Sequence, residues 1–595
     1  MTSRQLGELC KVVLRDVYGE LAETVVGCFL DHGRLTASQI AKYTKLPPST
    51  VHRALVALIQ NRFIQYWTDD SPQGPKPQTF YYSVDWNNVY AVLWTGQMMT
   101  LVESMFPGMD NAAEVVKNML VYGHMKAGDY IDAYPDQENR ISIEKTVTSL
   151  MQRRVLVPVF DFEFNPEQDI YENLLKESLT KLRTSSQSET AKMTAATQEA
   201  NQRKETLFSP RNDVKAGLIP AETNQIQKAS RGTGILEQKM TVDREAILAV
   251  NLEKYLLFAR NKYLVKVVER RVGKISARVY DAALQCYENR IHRCKDVQDI
   301  DKSYISARDV AMRLSVDVSL ADTFVSPSTK RSANGGGGNP TKKRRGDGGV
   351  AINAMNGDDD DDDDDDDEDD YIQDHHANNG SMNGSSGHSL DDVTKHLQLL
   401  ADSPTEFVVK GPGNKGWYVP YEKVMEKVRQ LAYDEYISEK FGKTAARIIR
   451  VVRDKGKVDE KLLTKIALLQ SDEMRSHTAQ LQEAGCLELQ EIPKTNDRTP
   501  ARSLFLWFHR TNRAYSRLLQ DVYNTMKNLY LRLLYERSSH SLVLSKIERE
   551  DVKGNEQEFL SEAEKKELNS FRMKEEKIIV QISRLDELVR VFRDY

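Results

Sequence analysis

Residues Leu21–Val84, LAETVVGCFLDHGRLTASQIAKYTKLPPSTVHRALVALIQNRFIQYWTDDSPQGPKPQTFYYSV, change hydrophobic period part-way through, and that change decides the fold. Val25, Val26 and Phe29 give one amphipathic helix stopping at Gly33. Thr36 opens a second, with Gln39 three residues on as a capping box. Pro47 and Pro48 end the second helix, and Pro48 suits the first position of a third. Val51, Ala54, Leu55, Leu58 and Ile59 then recur at helical spacing. After Asn61 the period becomes two: Phe63 to Trp67, a Pro/Gly-rich tip, and Thr79 to Tyr82 read as a β-hairpin. Three helices followed by a hairpin make a winged helix.

The same grammar recurs over residues 445–508. Ala445, Ile448, Ile449 and Val452 form a first helix, Asp459 caps a second, and Ser471 caps a third that ends near Gly485. Leu487 to Leu489, the tip KTNDRTPAR and Leu504 to Phe508 give its hairpin. Asn111 to Phe160 reads as helix, helix, and a helix passing into a strand. A further copy is interrupted: ISARDVA from Ile305 echoes LTASQIA from Leu35, but its third helix, near 390–402, returns only after an insertion. Loop closure costs grow slowly with length, so such an insertion is tolerated. The hairpin FVVK-GPGNKG-WYVPY completes that copy. Its Gly411, Gly413 and Gly416 match G-x-G-x-x-G, but a dinucleotide loop must lead into a helix, whereas this one joins two aromatic strands. Neither a cofactor nor a catalytic constellation is expected.

Composition marks the joints. Segment 184–212 is polar and nearly free of large apolar residues, which reads as linker. Segment 327–388 joins a Gly-rich piece, the basic tetrad Lys342-Lys343-Arg344-Arg345, an acidic run from Asp358 to Asp370 and NNGSMNGSSG, which reads as a disordered insertion. The tetrad has the pattern of a nuclear-import signal. Net charge is -5, yet the acidic run alone holds thirteen carboxylates, so the rest is mildly basic and nucleic acid is a permitted partner. The five cysteines, Cys10, Cys28, Cys286, Cys294 and Cys486, show neither C-x-x-C pairing nor zinc spacing. No metal site is expected from them, and no apolar run reaches the roughly 18 residues that span a bilayer.

In the last 80 or so residues Leu518, Val522, Met526, Leu529 and Leu533 line one long helix. Phe571, Ile578, Leu585 and Phe592 recur every seven residues on another, predicting an antiparallel coiled-coil hairpin. Leu518, Val522, Leu529, Phe571, Ile578 and Leu585 are the candidate partner-docking residues. The expected fold is mainly α with small β-hairpins, as four tandem winged helices and that hairpin. The divisions are 1–88 and 89–183 for the first two units and 184–230 for a linker. Residues 231–416 form the third unit, 417–510 the fourth and 511–595 the hairpin.

The stretches GELAETVVGCFLDHGRLTASQIAK, STVHRALVALIQNRFI, QRRVLVPVF and LYLRLLYERSSH, in this order of units, resemble the RNA polymerase III subunit three family, winged-helix proteins related to transcription factor IIE alpha. The resemblance implies a nuclear, non-catalytic polymerase subunit. It implies assembly with two smaller specific subunits on the clamp of the largest subunit, contact with initiation factor TFIIIB, and a part in promoter opening, with catalysis left to the two largest subunits. Basic residues mark the expected DNA contacts: Lys42, Lys45, His52, Arg53 and Lys76 in the first unit, and Lys494, Arg498 and Arg502 on the fourth wing. In the fourth unit the third helix opens Ser471-Asp472-Glu473, carboxylates that repel phosphate and suit a protein partner. A competing class is a stand-alone regulator that reads sequence and dimerises through its coiled coil. It needs a recognition helix rich in base-reading residues, and STVHRALVALIQN places only His52 and Arg53 well. Because 327–388 lacks the apolar content of a core, deleting it is expected to leave the thermal unfolding midpoint of the rest nearly unchanged; a loss of several degrees shows that it packs.

Overall fold

The computed structural model describes residues 3–68, 79–109, 111–182, 188–213, 215–220, 240–288, 290–294, 304–315, 320, 389–413, 415–493, 503–555 and 559–595. The described chain is mainly helical, with small antiparallel sheets of two or three strands.

In the first unit Gly33, at φ +73°, ends helix Glu20–His32 by donating its N–H to the Phe29 carbonyl at 2.9 Å. The capping box forms as the sequence predicts: Gln39 N–H donates to Thr36 Oγ1 at 3.4 Å, and Thr36 N–H to Gln39 Oε1 at 2.9 Å. Helix Pro48–Gln60 buries Val51, Ala54, Leu55 and Leu58. Strands Ile64–Thr68 and Phe80–Val84 pair with Tyr66 opposite Tyr82. A two-residue strand, Leu35–Thr36, adds to the outer side of the return strand, too short to leave a periodic signal.

The third helices of the first, second and fourth units end in the same way. Arg62, Arg154 and Gly485 each sit at positive φ two residues after the helix. In the first, second and fourth units the next residue returns its N–H to the carbonyl five back: Phe63 to Leu58, Val155 to Leu150, Cys486 to Leu481, each at 2.8–2.9 Å. This is the helix-end motif that glycine normally serves. Two non-glycine residues, Arg62 and Arg154, fill it here, so glycine spacing in the sequence does not reveal it.

The second unit departs from expectation in its connection. Helices Asn111–Tyr122, Ala127–Asp132 and Gln137–Gln152 lead into strand Leu156–Pro158, whose partner is Ile247–Val250, beyond the expected linker. Between them lie helix Glu167–Leu182 and helix Glu189–Asn212, packed on each other and tied by Lys181–Glu199 and Arg203–Glu177 ion pairs. Most of the segment read as linker from 184 onward is therefore helical as far as Asn212. Its buried seam is built from Ser178, Ala196 and Ala200. Small residues let two helices approach closely with little apolar area, which is why composition alone misses the pair; Ala also favours the helix. The expected 231–416 boundary likewise falls inside this sheet at one end and before strand Trp417–Tyr418 at the other.

The third unit assembles across its insertion as the sequence predicts. Helices Lys274–Gln285, Ala307–Arg313 and Leu390–Asp402 share one core, and Ile305 pairs with Trp417 beside strand Val409–Lys410. The fourth runs from helix Lys443–Lys455 to strands Glu488–Pro493 and Ser503–Phe508.

Helices Thr511–Ser539 and Glu562–Arg593 form an antiparallel hairpin, registered by Arg537–Glu575, His540–Glu567 and Lys546–Glu564. Near its base the hairpin packs on helix Arg4–Tyr18, through Glu8–Lys527 at 2.6 Å and Asp16–Arg537 at 2.9 Å. One core joins this helix, the first unit, the fourth unit and the hairpin. At its centre lies Asp586, 2% exposed. Asp586 Oδ1 accepts from Tyr90 Oη at 2.8 Å and Trp94 Nε1 at 3.0 Å; Arg590 Nε stands 3.1 Å from Oδ2, and Arg590 Nη1 donates to Tyr255 Oη at 2.9 Å. Removing one member of a buried pair strands the other, so Asp586→Ala is expected to lower unfolding free energy by about 3–5 kcal/mol in denaturant titration of the full chain. A loss below about 1 kcal/mol, within the range of ordinary substitutions, contradicts this role.

Candidate nucleic-acid interface

Four of the basic residues singled out in the first unit lie on one stretch of its surface. Lys42 is in the last turn of helix Ala37–Thr44, Lys45 holds its left-handed C-cap (φ +58°), and His52 and Arg53 occupy the exposed side of helix Pro48–Gln60. His52 Nδ1 lies 2.7 Å from the Pro48 carbonyl. Lys42, Lys45 and Arg53 form no ion pair among the described residues, and the first turn of their third helix has no acidic residue. Lys76, Lys494, Arg498, Arg502 and the tetrad Lys342, Lys343, Arg344 and Arg345 lie outside the described residues.

The third helices of the other units carry the opposite charge at the same end. Leu390–Asp402 opens with Asp391 and Asp392, which hold Lys395 at 2.8 and 3.1 Å. Ser471–Glu483 opens with Asp472, whose side chain is 99% exposed, and Glu473; its Arg475 is taken up by Glu460 at 2.7 Å. Beside them the fourth unit exposes Leu462, Ile466 and Leu468. Leu468 is 82% exposed and sits at φ +55°, the position that Lys45 occupies in the first unit. A non-glycine residue on left-handed backbone is uncommon, and this one joins Leu462 and Ile466 in an exposed apolar group.

The six residues expected to dock a partner face inward. Leu518, Val522 and Phe571 are buried, and Leu529, Ile578 and Leu585 pack partly buried against the same core. The outer face of the hairpin instead shows Leu531, Tyr535, Met573, Ile579 and Val580. Heptad spacing locates a seam but does not say whether another element of the same chain fills it. Sequence reading also passed over helix Lys443–Lys455, KTAARIIRVVRDK: Arg450 and Arg453 are held by Asp434, while Lys443, Arg447 and Lys455 are exposed. Its charge spacing was legible, but its apolar stripe drew the reading toward the core.

Among the described residues no cluster of three or more His, Cys, Asp or Glu could hold a metal, and no helix is long and apolar enough to cross a membrane. The thiol of Cys10 is buried, and burial pushes it up to about 12, leaving it protonated at neutral pH.

With this geometry in view, residues 8–69 match the model of the RNA polymerase III subunit RPC82 helix-turn-helix domain, 145–428 that of RNA polymerase III subunit RPC82, and 433–509 that of the POLR3C C-terminal winged-helix domain. A DNA-directed RNA polymerase III subunit RPC3 of Yarrowia lipolytica is 38% identical over 100% of this chain and 98% of its own. The chain belongs to the RNA polymerase III subunit RPC3 family. Relatives of that name in Scheffersomyces stipitis and Emericella nidulans are each 26% identical, covering 98% and 100% of this chain and 96% and 100% of their own. The helix-turn-helix match lies within the first unit and the winged-helix match within the fourth, and the resemblance read from GELAETVVGCFLDHGRLTASQIAK falls inside the first of them.

The third-unit glycines have a structural task. Gly411 N–H donates to the Gly416 carbonyl at 2.8 Å, and a Cβ on Gly416, at φ +103°, would stand 2.4 Å from the Ile305 carbonyl oxygen. Gly416→Ala is expected to cost roughly 1–3 kcal/mol of unfolding free energy, measured by denaturant titration. A neutral outcome contradicts a purely structural reading of the motif.

Proposed function

We propose that the chain is a non-catalytic subunit of nuclear RNA polymerase III, built as four tandem extended winged helices with a C-terminal coiled-coil hairpin. In this reading it acts in initiation and promoter opening. The first unit touches DNA; the fourth unit's Leu462, Ile466 and Leu468 face other polymerase subunits. The outer hairpin face seats the protein among the two smaller specific subunits and the clamp. Initiation factor TFIIIB is the remaining partner of this assignment. Membership of the family supports the polymerase, and the observation that carries the division of labour is the charge of the third helices. The first unit's opens without an acidic residue, whereas those of the third and fourth open with exposed carboxylates. Phosphate is attracted at one end of the molecule and repelled at the others. The hairpin seam, filled from within the chain, leaves little for the homodimer that a stand-alone regulator needs.

DNA contact by the first unit is phosphate-directed, since its exposed basic residues, Lys42, Lys45, His52 and Arg53, outnumber the two of them, His52 and Arg53, that are placed to read bases. Each lost phosphate contact lowers the slope of log affinity against log salt by roughly 0.9 on duplex. The triple change of Lys42, Lys45 and Arg53 to Ala in the full chain is therefore expected to flatten the slope by up to about 2.7 and to weaken two unrelated sequences equally. The full chain is required because the first unit shares its core with the hairpin. An unchanged slope assigns these residues to protein contacts instead, and selective loss on one sequence favours a sequence-reading regulator.

A further inference from the structure

The first three units meet at a cleft lined by Arg62, Arg154, Arg211 and Arg293, with Glu163 and Glu253 as its acidic residues. Each arginine comes from a different element. Arg62 and Arg154 are the left-handed residues that end the third helices of the first and second units, at φ +60° and +59°. Arg211 lies in the last turn of helix Glu189–Asn212, and Arg293 follows the first helix of the third unit. Glu163 is taken by Arg62, so the lining carries four guanidiniums against two carboxylates, with His292 alongside. Just outside, Glu167 is held by Lys204 at 2.7 Å, and Asp213 lies toward Arg154.

Arg211 is the informative member. Its guanidinium makes no hydrogen bond or ion pair among the described residues, while its backbone carbonyl accepts from Arg154 Nη2 at 2.6 Å. Burial, then the neighbouring charge of Arg293, depresses its pKa, against the pull of Glu163 and Glu253. Asp85 and Glu167 also lie toward Arg211, yet burial and the nearby guanidiniums outweigh these carboxylates, and a half-buried guanidinium so placed is relieved when a further anion joins it. The cleft holds about 90 Å³, several times the roughly 10–15 Å³ that admits one water, which is room for one tetrahedral oxyanion. Arginine is the side chain whose planar fork matches phosphate oxygens.

We propose that this cleft binds one phosphate-type oxyanion, free or carried on a nucleic acid strand, which fastens the first three units to one another. This inference stands apart from the polymerase assignment, because it concerns the isolated chain and inorganic phosphate. A ligand that binds only the folded state raises the unfolding midpoint. The full chain is melted in sodium phosphate and in sodium chloride at matched ionic strength and neutral pH, and again with a short single-stranded DNA. Phosphate is expected to raise the midpoint by several degrees over chloride. Arg211→Gln is expected to abolish the rise while melting no lower than the unaltered chain in chloride, since it removes repulsion rather than a bond. Arg53→Gln, on the distant recognition helix, should keep the rise. A rise seen only with DNA and lost in Arg211→Gln assigns the oxyanion to a strand; one seen with phosphate assigns it to the free ion. The proposal is overturned if neither ligand raises the midpoint, if Arg211→Gln retains the rise, or if Arg211→Gln lowers the midpoint in chloride.

Discussion

A buried carboxylate, that of Asp586, sits where the first unit meets the C-terminal hairpin of this protein. Stripped of water, it is stabilised by donors from the segment after the first wing, Tyr90 and Trp94, and by Arg590 one turn along its own helix. Arg590 extends the network to Tyr255, whose hydroxyl bonds Gln97, and Gln97 returns to Ser583 at 3.3 Å. Arg593 stacks over the Tyr90 ring at 4.1 Å from its centroid and is itself held by Asp594. Such a network is costly when incomplete and rigid when complete. It converts what would be a loose string of small domains into a body in which the first and fourth units share one core.

That rigidity gives the surface charges their meaning. In the proposed reading, a basic third helix on a freely swinging domain would only add to nonspecific affinity for nucleic acid. Fixed relative to the exposed Leu462, Ile466 and Leu468 of the fourth unit, it presents phosphate-attracting and apolar surfaces in one constant relation. The Arg62–Arg154 cleft, at the junction of the first three units, is a second place where charge meets the geometry between units.

Much of the architecture was legible from local chemistry. The Thr36–Gln39 capping box, Pro48 at the helix start, Asp459 as a cap and the interrupted third unit all formed as the sequence predicts, because each depends on residues a few positions apart. What escaped reading depends on partners far along the chain. The return strand Ile247–Val250 cannot be assigned to Leu156–Pro158 from a period. The Ser178, Ala196 and Ala200 seam looks like linker until its partner helix is in place. Asp586 and Arg590 carry no periodic signal, and their burial depends on Tyr90, Trp94 and Tyr255 far along the chain. The candidate site divides similarly. The charges at Lys42, Lys45, His52 and Arg53 were visible and are exposed, whereas the seam read as docking surface is consumed by the chain's own first helix and first unit.

The division of faces is tested most directly by placing a photo-reactive amino acid at position 53 or at position 468 in the native polymerase assembled on promoter DNA. The account predicts that position 53 crosslinks to DNA irrespective of the local sequence, and that position 468 crosslinks to another protein subunit and not to DNA. DNA crosslinks at position 468, or only protein crosslinks at position 53, would contradict it.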